Sequence, residues 1–362
     1  MTVIGIDVGG TTIKGAAVND KGNMFEAAFM LSYGALAGIL TVTELIKNKF
    51  FLIFTPSAAE SLTASIGAQT FTVPVSKFEK GEEVLERLAD AVKTYIKESK
   101  KIGKVVGIGM GIPGVIDSKN GLVCASANLP LWNDLKVKEI MENLTGLPVK
   151  ITNDANASAL GEVKFGAGNN CETAIMLTLG TGVGCGVILN GKLFEGNEGK
   201  GAELGHSTLI LGGRQCSCGR KGCFEAYASA TGLILDTEEM IEKHPESKMK
   251  EIAIQFGKVN GRVAFKAARD YEDPWGIQVV DQYISYLGEG LLNVCNIFRP
   301  NLIILSGGVA NEGTYLIDRV QQYIKERDYG YKNTPEVKVV QGQLGYDSGK
   351  IGAAALFFKE GI

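Results

Sequence analysis

The sequence repeats one pattern in its two halves, and this repetition limits the folds that the chain can adopt. The segments VIGIDVGGTTIKGAAV (3–18) and AIMLTLGTGVGCGVIL (174–189) both read as apolar strand, glycine-rich turn and apolar strand. Another turn follows each copy, at NDKGN and at NGK. The repetition predicts two β-hairpins that belong to two related sheets.

Strands alternate with helices in the rest of the chain. EEVLERLADAVKTYIKESKK has one apolar face, formed by Val84, Leu85, Leu88, Val92, Tyr95 and Ile96, as expected of an amphipathic helix. Buried strands are predicted at VVGIGMGIPGVID and NLIILSGGV, and helices at ASALGEVKFGAG, at about 225–298 and at SGKIGAAALFF. This alternation indicates an α/β fold. We expect an N-terminal domain at 1–152, joined by the last helix at about 345–362, and a C-terminal domain at 153–344.

The segment at about 28–70 interrupts this pattern and is interpreted as an insertion. NMFEA before it and FTVPVS after it, if joined directly, would make one ordinary strand. Its uncharged run at 27–43 is at the short limit for crossing a bilayer, and we expect no membrane role. A surface excursion costs little loop-closure entropy.

Composition excludes some classes of function. The 362 residues include 37 basic and 40 acidic side chains, so the charge balance gives no indication of nucleic-acid binding. MTVIGIDVGG does not resemble a signal peptide, and we expect a cytoplasmic protein. In that compartment a tight cysteine cluster indicates metal or redox chemistry rather than a structural disulfide.

The two glycine-rich turns are candidate phosphate-binding sites. Glycine permits close backbone approach, so the N–H groups and threonine hydroxyls of such turns can face phosphate oxygens. The residues concerned are Gly9, Gly10, Thr11 and Thr12 in the first turn and Gly180, Thr181, Gly182 and Gly184 in the second. Asp7 suits a Mg2+ contact through water, with a turn cap as the alternative. GxGxxG at Gly109, Gly111 and Gly114 is not expected to bind a dinucleotide, because strand and turn follow it instead of a helix.

Three cysteines lie within eight residues in the segment GGRQCSCGRKGCFEAYAS. Cys216, Cys218 and Cys223 have the spacing C-x-C-x4-C, and His206 precedes them in a chain with only two histidines. Three thiolates and one imidazole would complete a closed tetrahedral zinc site, which is typically structural. Unliganded thiols in a loop are the alternative. Zinc would tie GAELGH to GCFEA and fix the glutamates in both segments.

These motifs together resemble a known family. DVGGTTIKG, NDANASALGE, LGTGVGCGV, GAELGH with CSCGRKGCFEA, and LSGGV are similar to motifs of the ROK sugar kinases, whose duplicated fold is of the actin and hexokinase type. The resemblance covers residues 1 to about 27 and about 71 to the end. NLPLW through GGRQCSCGRKGC is most similar to the bacterial glucokinases of that family.

The resemblance implies roles for individual residues. Asp154 would be the general base and Asn153 would bind a sugar hydroxyl, whereas outside this context NDAN would be only a helix N-cap. Further sugar contacts are implied for Glu203, His206 and Glu225, and for Asn128. Gly307 and Gly308 would lie near the adenosine. If one nitrogen of His206 binds zinc, the other can donate to a sugar oxygen.

The resemblance further implies ATP-dependent phosphorylation of a hexose, with glucose the expected substrate, in a homodimer that uses Mg2+ and structural zinc. Kinases for N-acetylmannosamine, N-acetylglucosamine, allose and fructose share the motifs and stay open as alternatives. Sugar-responsive repressors of the family place a helix-turn-helix domain before the first hairpin, which here begins at residue 3, so that reading is less favoured. A sugar-binding protein without catalysis is disfavoured because Asp154 is present.

Overall fold

The computed structural model describes residues 1–25, 65–66, 70–98, 103–330 and 333–358. Most of the segment interpreted as an insertion, at about 28–70, lies outside the described residues. No helix among the described residues is long and apolar enough to cross a membrane.

The elements follow in an alternating order. The strands are β1 (Thr2–Val8), β2 (Thr12–Asn19), β3 (Ser65–Ile66), β4 (Phe71–Pro74), β5 (Val105–Ile112), β6 (Val115–Asp117), β7 (Leu122–Ala125), β8 (Val149–Asn153), β9 (Ala174–Leu179), β10 (Val183–Leu189), β11 (Lys192–Phe194), β12 (Leu302–Ser306) and β13 (Lys338–Gln341). The helices are α1 (Gly81–Glu98), α2 (Val137–Thr145), α3 (Asp154–Phe165), α4 (Glu225–Ala228), α5 (Ala230–Lys243), α6 (Lys248–Gln255), α7 (Val263–Tyr271), α8 (Pro274–Phe298), α9 (Thr314–Arg327) and α10 (Ser348–Ala355).

Two sheets share one topology. The first has the strand order β3-β4-β2-β1-β5-β8 and the second β11-β10-β9-β12-β13. In each sheet an antiparallel hairpin, β1–β2 or β9–β10, is followed by two parallel strands, β5 and β8 or β12 and β13. The two predicted hairpins and the duplicated α/β fold are therefore confirmed.

Two helices, α3 and α10, pack against each other and contact both repeats. Helix α3 follows β8 of the first sheet and packs mainly on β10 of the second, with further contacts to β9 and to β5, whereas α10 follows β13 and packs on β1 and β5. A methyl group at Gly352 would lie 1.7 Å from the carbonyl oxygen of Ala157, so this close crossing requires glycine. Buried side chains that include Ala159, Ile304 and Ile351 join the two repeats into a shared core.

The predicted elements are found, with some shifts of boundary. Helix α1 buries Val84, Leu85, Leu88, Val92 and Tyr95, whereas Ile96 is only partly buried at the edge of the same core. Helix α3 begins at Asp154, three residues before the predicted segment, because the Asn153 side chain caps it. Gly109 and Gly111 lie within β5, and β6 follows them rather than a helix. The prediction that this GxGxxG is not a dinucleotide site is consistent with that geometry.

Candidate active site

Asp154 lies where β8 ends and α3 begins, between the two sheets. The Asn153 side-chain oxygen accepts from the backbone N–H groups of Ala155 (2.8 Å) and Asn156 (3.3 Å), and its amide donates to the Gly114 carbonyl (3.0 Å). The ideal Cβ position of Gly111, on β5, is 3.4 Å from the Asp154 Cα atom. The helix cap therefore holds Asp154 against the carboxyl end of the first sheet.

The surroundings of Asp154 favour its neutral form. The pKa of Asp154 is raised to about 6, mainly by burial; the backbone N–H of Ala155 opposes the shift, and the negative charges of Asp7 and Glu203 contribute to it. A carboxylate with this pKa is largely ionised at pH 7 and is a stronger base than an exposed aspartate. The three predicted carboxylates are thus close enough to act on one another.

A cavity of about 220 Å³ opens beside Asp7. Its lining comes from the ends of strands of both sheets and from the turns that follow β12 and β13. The residues are Asp7, Lys14, Ser158, Thr178, Ser306, Gly307, Ala310, Asn311, Gln341, Gly342, Gly345, Tyr346, Ser348 and Gly349. Ligands of α/β folds commonly bind at the carboxyl ends of strands. The cavity is therefore the candidate site for a nucleotide.

Two of the predicted nucleotide-binding residues, Asp7 and Gly307, line this cavity. Among the described residues, neither Gly308 nor the two glycine turns belong to its lining. The turns directly follow β1 and β9, whose residues Asp7 and Thr178 do line it. Burial raises the pKa of Asp7, whereas Lys350 and Lys14 lower it.

Sequence reasoning missed several residues of this cavity. Lys14 supplies a positive charge two residues beyond the first glycine turn, and its position in the alternation of β2 could have indicated an exposed cation. Thr178 lies one residue before the end of β9 and Ser306 ends β12, and both carry hydroxyl groups to the same lining. No sequence motif pointed to Asn311 or Tyr346, because both lie in short 3-10 turns.

The three predicted cysteines and His206 form one cluster. Their ligand atoms all lie within 4.8 Å of one another. The Cys218 and Cys223 Sγ atoms are 3.7 Å apart, and the Cys216 Sγ atom is 3.7 Å from His206 Nδ1. The edge of a tetrahedron with metal–sulfur bonds of about 2.3 Å is about 3.8 Å. The cluster could therefore hold one tetrahedral metal ion.

Glu225 connects this cluster to the second glycine turn. Its carboxylate accepts from the Val183 backbone N–H (2.9 Å) and from the Ser217 hydroxyl (3.0 Å). A Cβ atom at Gly182 would lie 2.3 Å from a Glu225 carboxylate oxygen, so glycine is needed for this contact. The loop that bears the cysteines and the turn that follows β9 are thus held together by one carboxylate.

The other predicted sugar contacts lie around the same region. Glu203 is an exposed residue, but surrounding protein atoms partly desolvate its carboxylate and raise its pKa. The charge of His206 lowers this pKa, and the charge of Glu225 raises it. Asn128 is exposed, and its Cβ atom is 4.0 Å from the ideal Cβ position of Gly10. Glu203, His206 and Glu225 therefore form one group, and Asn128 lies beside the first glycine turn.

Two further carboxylates link the repeats and had no motif to mark them. Glu195 accepts from the Ser118 hydroxyl and from the Thr152 hydroxyl, both at 2.6 Å. Glu162 is fully buried on α3 and accepts backbone hydrogen bonds from the turn after β13. Both contacts join residues distant in sequence, so periodicity could not reveal them.

Comparisons with known proteins agree on one family. The profile described as the ROK family matches residues 64–360. A glucokinase of Halalkalibacterium halodurans is 32% identical over 356 residues, covering 98% of this chain and 94% of that protein. The crystal structure of a ROK family glucokinase from Streptomyces griseus in complex with glucose and AMPPNP has a TM-score of 0.72 and 28% identity, covering 98% of this chain and 99% of that chain. A xylose repressor of Caldicellulosiruptor bescii is 31% identical, but the match covers 69% of this chain and 62% of the repressor.

Proposed function

The chain belongs to the ROK family, and we propose that it is an ATP-dependent hexose kinase that converts glucose to glucose 6-phosphate. The observation that carries this proposal is the position of Asp154, a desolvated carboxylate with a pKa of about 6 that interacts electrostatically with Asp7 beside the cavity. The relatives named glucokinase support glucose as the substrate.

Asp154 acts as the general base in this proposal. The 6-hydroxyl oxygen of glucose attacks the γ-phosphorus of ATP, the bond from that phosphorus to the β,γ-bridging oxygen breaks, and ADP leaves. The hydroxyl proton passes to the Asp154 carboxylate as the new oxygen–phosphorus bond forms. Because Asp154 is ionised at neutral pH, it is ready to accept that proton.

The phosphate groups would be held by the strand ends of both repeats. The two glycine turns would face the phosphates with their hydroxyls and with backbone N–H groups other than those of Gly9, Gly180 and Val183, which form hydrogen bonds within the protein. Lys14 would supply a positive charge. Asp7 provides the oxygen ligand that Mg2+ prefers, directly or through water. When bound, Mg2+ neutralises charge that develops on the phosphates. Gly307 and Gly308 would lie near the adenosine.

The sugar would bind among Glu203, His206, Glu225 and Asn153, with Asn128 at the edge. The second N–H of the Asn153 amide and the remaining lone pairs of the Glu225 carboxylate stay available after their structural hydrogen bonds. His206 would donate to the sugar from the nitrogen that faces away from the cysteines.

The donor set of the cysteine cluster fits zinc. Three sulfur ligands and one imidazole match a closed structural site, and the distances of 3.7 Å match its tetrahedral edge. Zinc in this site would cross-link the loop that carries Glu203 to the segment that carries Glu225. Its contribution is therefore to order the sugar-binding residues.

We also propose how the molecule is organised. The division into domains falls near Asn153, with α10 packing on the first sheet although it follows the second. Sugar would bind between the two domains, whose closure would exclude water. A cytoplasmic location, where the thiols stay reduced, and a homodimeric assembly complete the proposal.

The experiment that tests the substrate compares sugars. ADP release is measured with Mg2+ and ATP over a panel of glucose, fructose, allose, N-acetylglucosamine and N-acetylmannosamine. We expect the highest kcat/KM for glucose. A higher kcat/KM for N-acetylmannosamine would show that the assigned sugar is wrong, while the protein would still be a sugar kinase. If no sugar causes ADP release, a sugar-responsive regulator without kinase activity would be favoured instead.

A further inference from the structure

Tyr346 presents an aromatic ring at the rim of the nucleotide cavity with no structural partner. It lines the cavity, and 85% of its surface is exposed. Among the described residues, none forms a hydrogen bond or a ring contact with it. A large exposed aromatic side chain contributes nothing to a core, and in a concave site it can bury its face only against a ligand.

The turn that bears Tyr346 is held firmly, although the ring itself is free. The Glu162 carboxylate, on the helix that begins with Asp154, accepts from the backbone N–H groups of Gln343 (3.0 Å) and Leu344 (2.7 Å). The Ser348 hydroxyl donates to the Gly345 carbonyl at 2.9 Å. Lys350, a buried side chain, pairs with Asp347. Each neighbour of Tyr346 is therefore anchored, which fixes the backbone from which its ring projects.

We propose that Tyr346 is the platform on which the purine base of ATP stacks. The lining includes Asp7 and Lys14, which suit a cation and phosphates, and also Tyr346, Ala310 and Asn311, which offer an aromatic ring, an apolar group and an amide. A nucleotide offers a matching partner for each group, since its phosphate chain is charged and its base is flat. The inference rests on the proposed function, because it assigns the base-binding part of the same site.

The test replaces the ring and measures nucleotide binding by calorimetry without sugar, and the KM for ATP during turnover. Stacking of a base on an aromatic side chain is strong enough that its loss should weaken binding at least about fivefold. We expect Tyr346→Ala to raise the Kd for MgADP, measured by calorimetry, and the KM for ATP by at least about that factor. Tyr346→Phe keeps the ring and should stay within about twofold of the wild type.

Two controls separate base stacking from other effects. Tyr329 is also 85% exposed but lies outside the described lining of the cavity, so Tyr329→Ala should change neither constant. Inorganic tripolyphosphate carries the phosphate chain without a base, so its inhibition constant should be the same for Tyr346→Ala and the wild type.

A Kd for MgADP within twofold of the wild type in Tyr346→Ala would overturn the inference, as would an equal loss of tripolyphosphate inhibition. Calorimetry reports the Kd for MgADP even if the protein phosphorylates no sugar. Failure of the proposed function, seen as no sugar-dependent ADP release, is therefore distinguishable from failure of the stacking role.

Discussion

The two interpretations of NDAN, a helix N-cap and the position of a general base, are compatible in the structure. NDAN is a helix N-cap, because Asn153 satisfies the first N–H groups of α3. The same cap places Asp154 where burial and the charges of Asp7 and Glu203 act on it. The N-cap at Asn153 and the buried carboxylate of Asp154 thus belong to one arrangement. Each of the two residues can be tested by its own substitution.

Replacement of the base should separate activity from stability. We expect Asp154→Asn to lower kcat by about a hundredfold or more with little change in sugar or ATP binding, because only proton acceptance is removed. Burial raises the pKa of Asp154 to about 6, so the ionised carboxylate costs the native state stability at pH 7. The variant should therefore melt at the same or a higher temperature, and near wild-type kcat would refute the role.

The pH dependence should report the same carboxylate. Because the ionised form accepts the proton, activity must fall as the pH drops through the raised pKa of about 6. We expect kcat/KM for glucose, at saturating ATP, to show an acidic limb near that value. A limb near pH 4, the range of an ordinary aspartate, would contradict the account of the site.

At the scale of elements, the proposed zinc site should order the loop between Glu203 and Glu225. We expect the wild-type protein to carry about one zinc per chain and Cys223→Ser to lose it. The KM for sugar should then rise, because the loop loses its cross-link. Cys171→Ser is the matched control, since Cys171 is a half-buried thiol outside the cluster. Absence of zinc from freshly prepared, active enzyme would disprove the metal site.

The edge of the first sheet supports the interpretation of an insertion. Met24 lies opposite Val18 and Phe71 opposite Gly15, and the Phe25 N–H donates to the Ala17 carbonyl. Two segments therefore lie beside β2, one that includes Met24 and Phe25 and one that begins at Phe71. Only the position opposite Ala16 lies between them. One residue is enough to fill that place, so joining Glu26 directly to Phe71 would preserve the register.

We therefore expect a variant without residues 27–70 to remain folded, with kcat within about threefold of the full chain. A variant without residues 26–70 is the control, because a one-residue shift would turn Phe71 and Val73, both buried, away from the core. Its melting temperature should be lower. A folded 27–70 deletion that has lost sugar phosphorylation would show that the segment belongs to the active site.

Elements were predictable where the pattern is local. The hairpins, helix α1 and strands β5 and β12 follow from alternation, periodicity and glycine turns, and the cysteine cluster follows from its spacing. The contacts of Glu162 with Gln343 and Leu344, and of Glu195 with Ser118 and Thr152, join residues far apart in sequence. Such pairs depend on how the two repeats pack, which no single segment encodes.

At the scale of the whole molecule, duplication places the chemistry between the repeats. Helices α3 and α10 exchange sheets, so Asp154, which begins α3, follows the first sheet while its helix packs on the second. The sequence analysis predicted two related sheets and assigned the last helix to the first domain, but no motif indicated that α3 and α10 would pack against each other. Asp154 and Asp7 both lie near the carboxyl ends of strands of the first sheet, and the second repeat supplies Thr178, Ser306 and Gly307 to the cavity beside Asp7.

The central claim is transfer of the γ-phosphoryl group of ATP to the 6-hydroxyl of glucose by Asp154 and its neighbours. Phosphorus-31 NMR of the purified protein with Mg2+, ATP and glucose measures this transfer directly. We expect the ATP signals to be replaced by those of ADP and glucose 6-phosphate in equal amounts, with no such change for Asp154→Asn on the same time scale. Unchanged ATP, or ADP with inorganic phosphate in place of the sugar ester, would contradict the account.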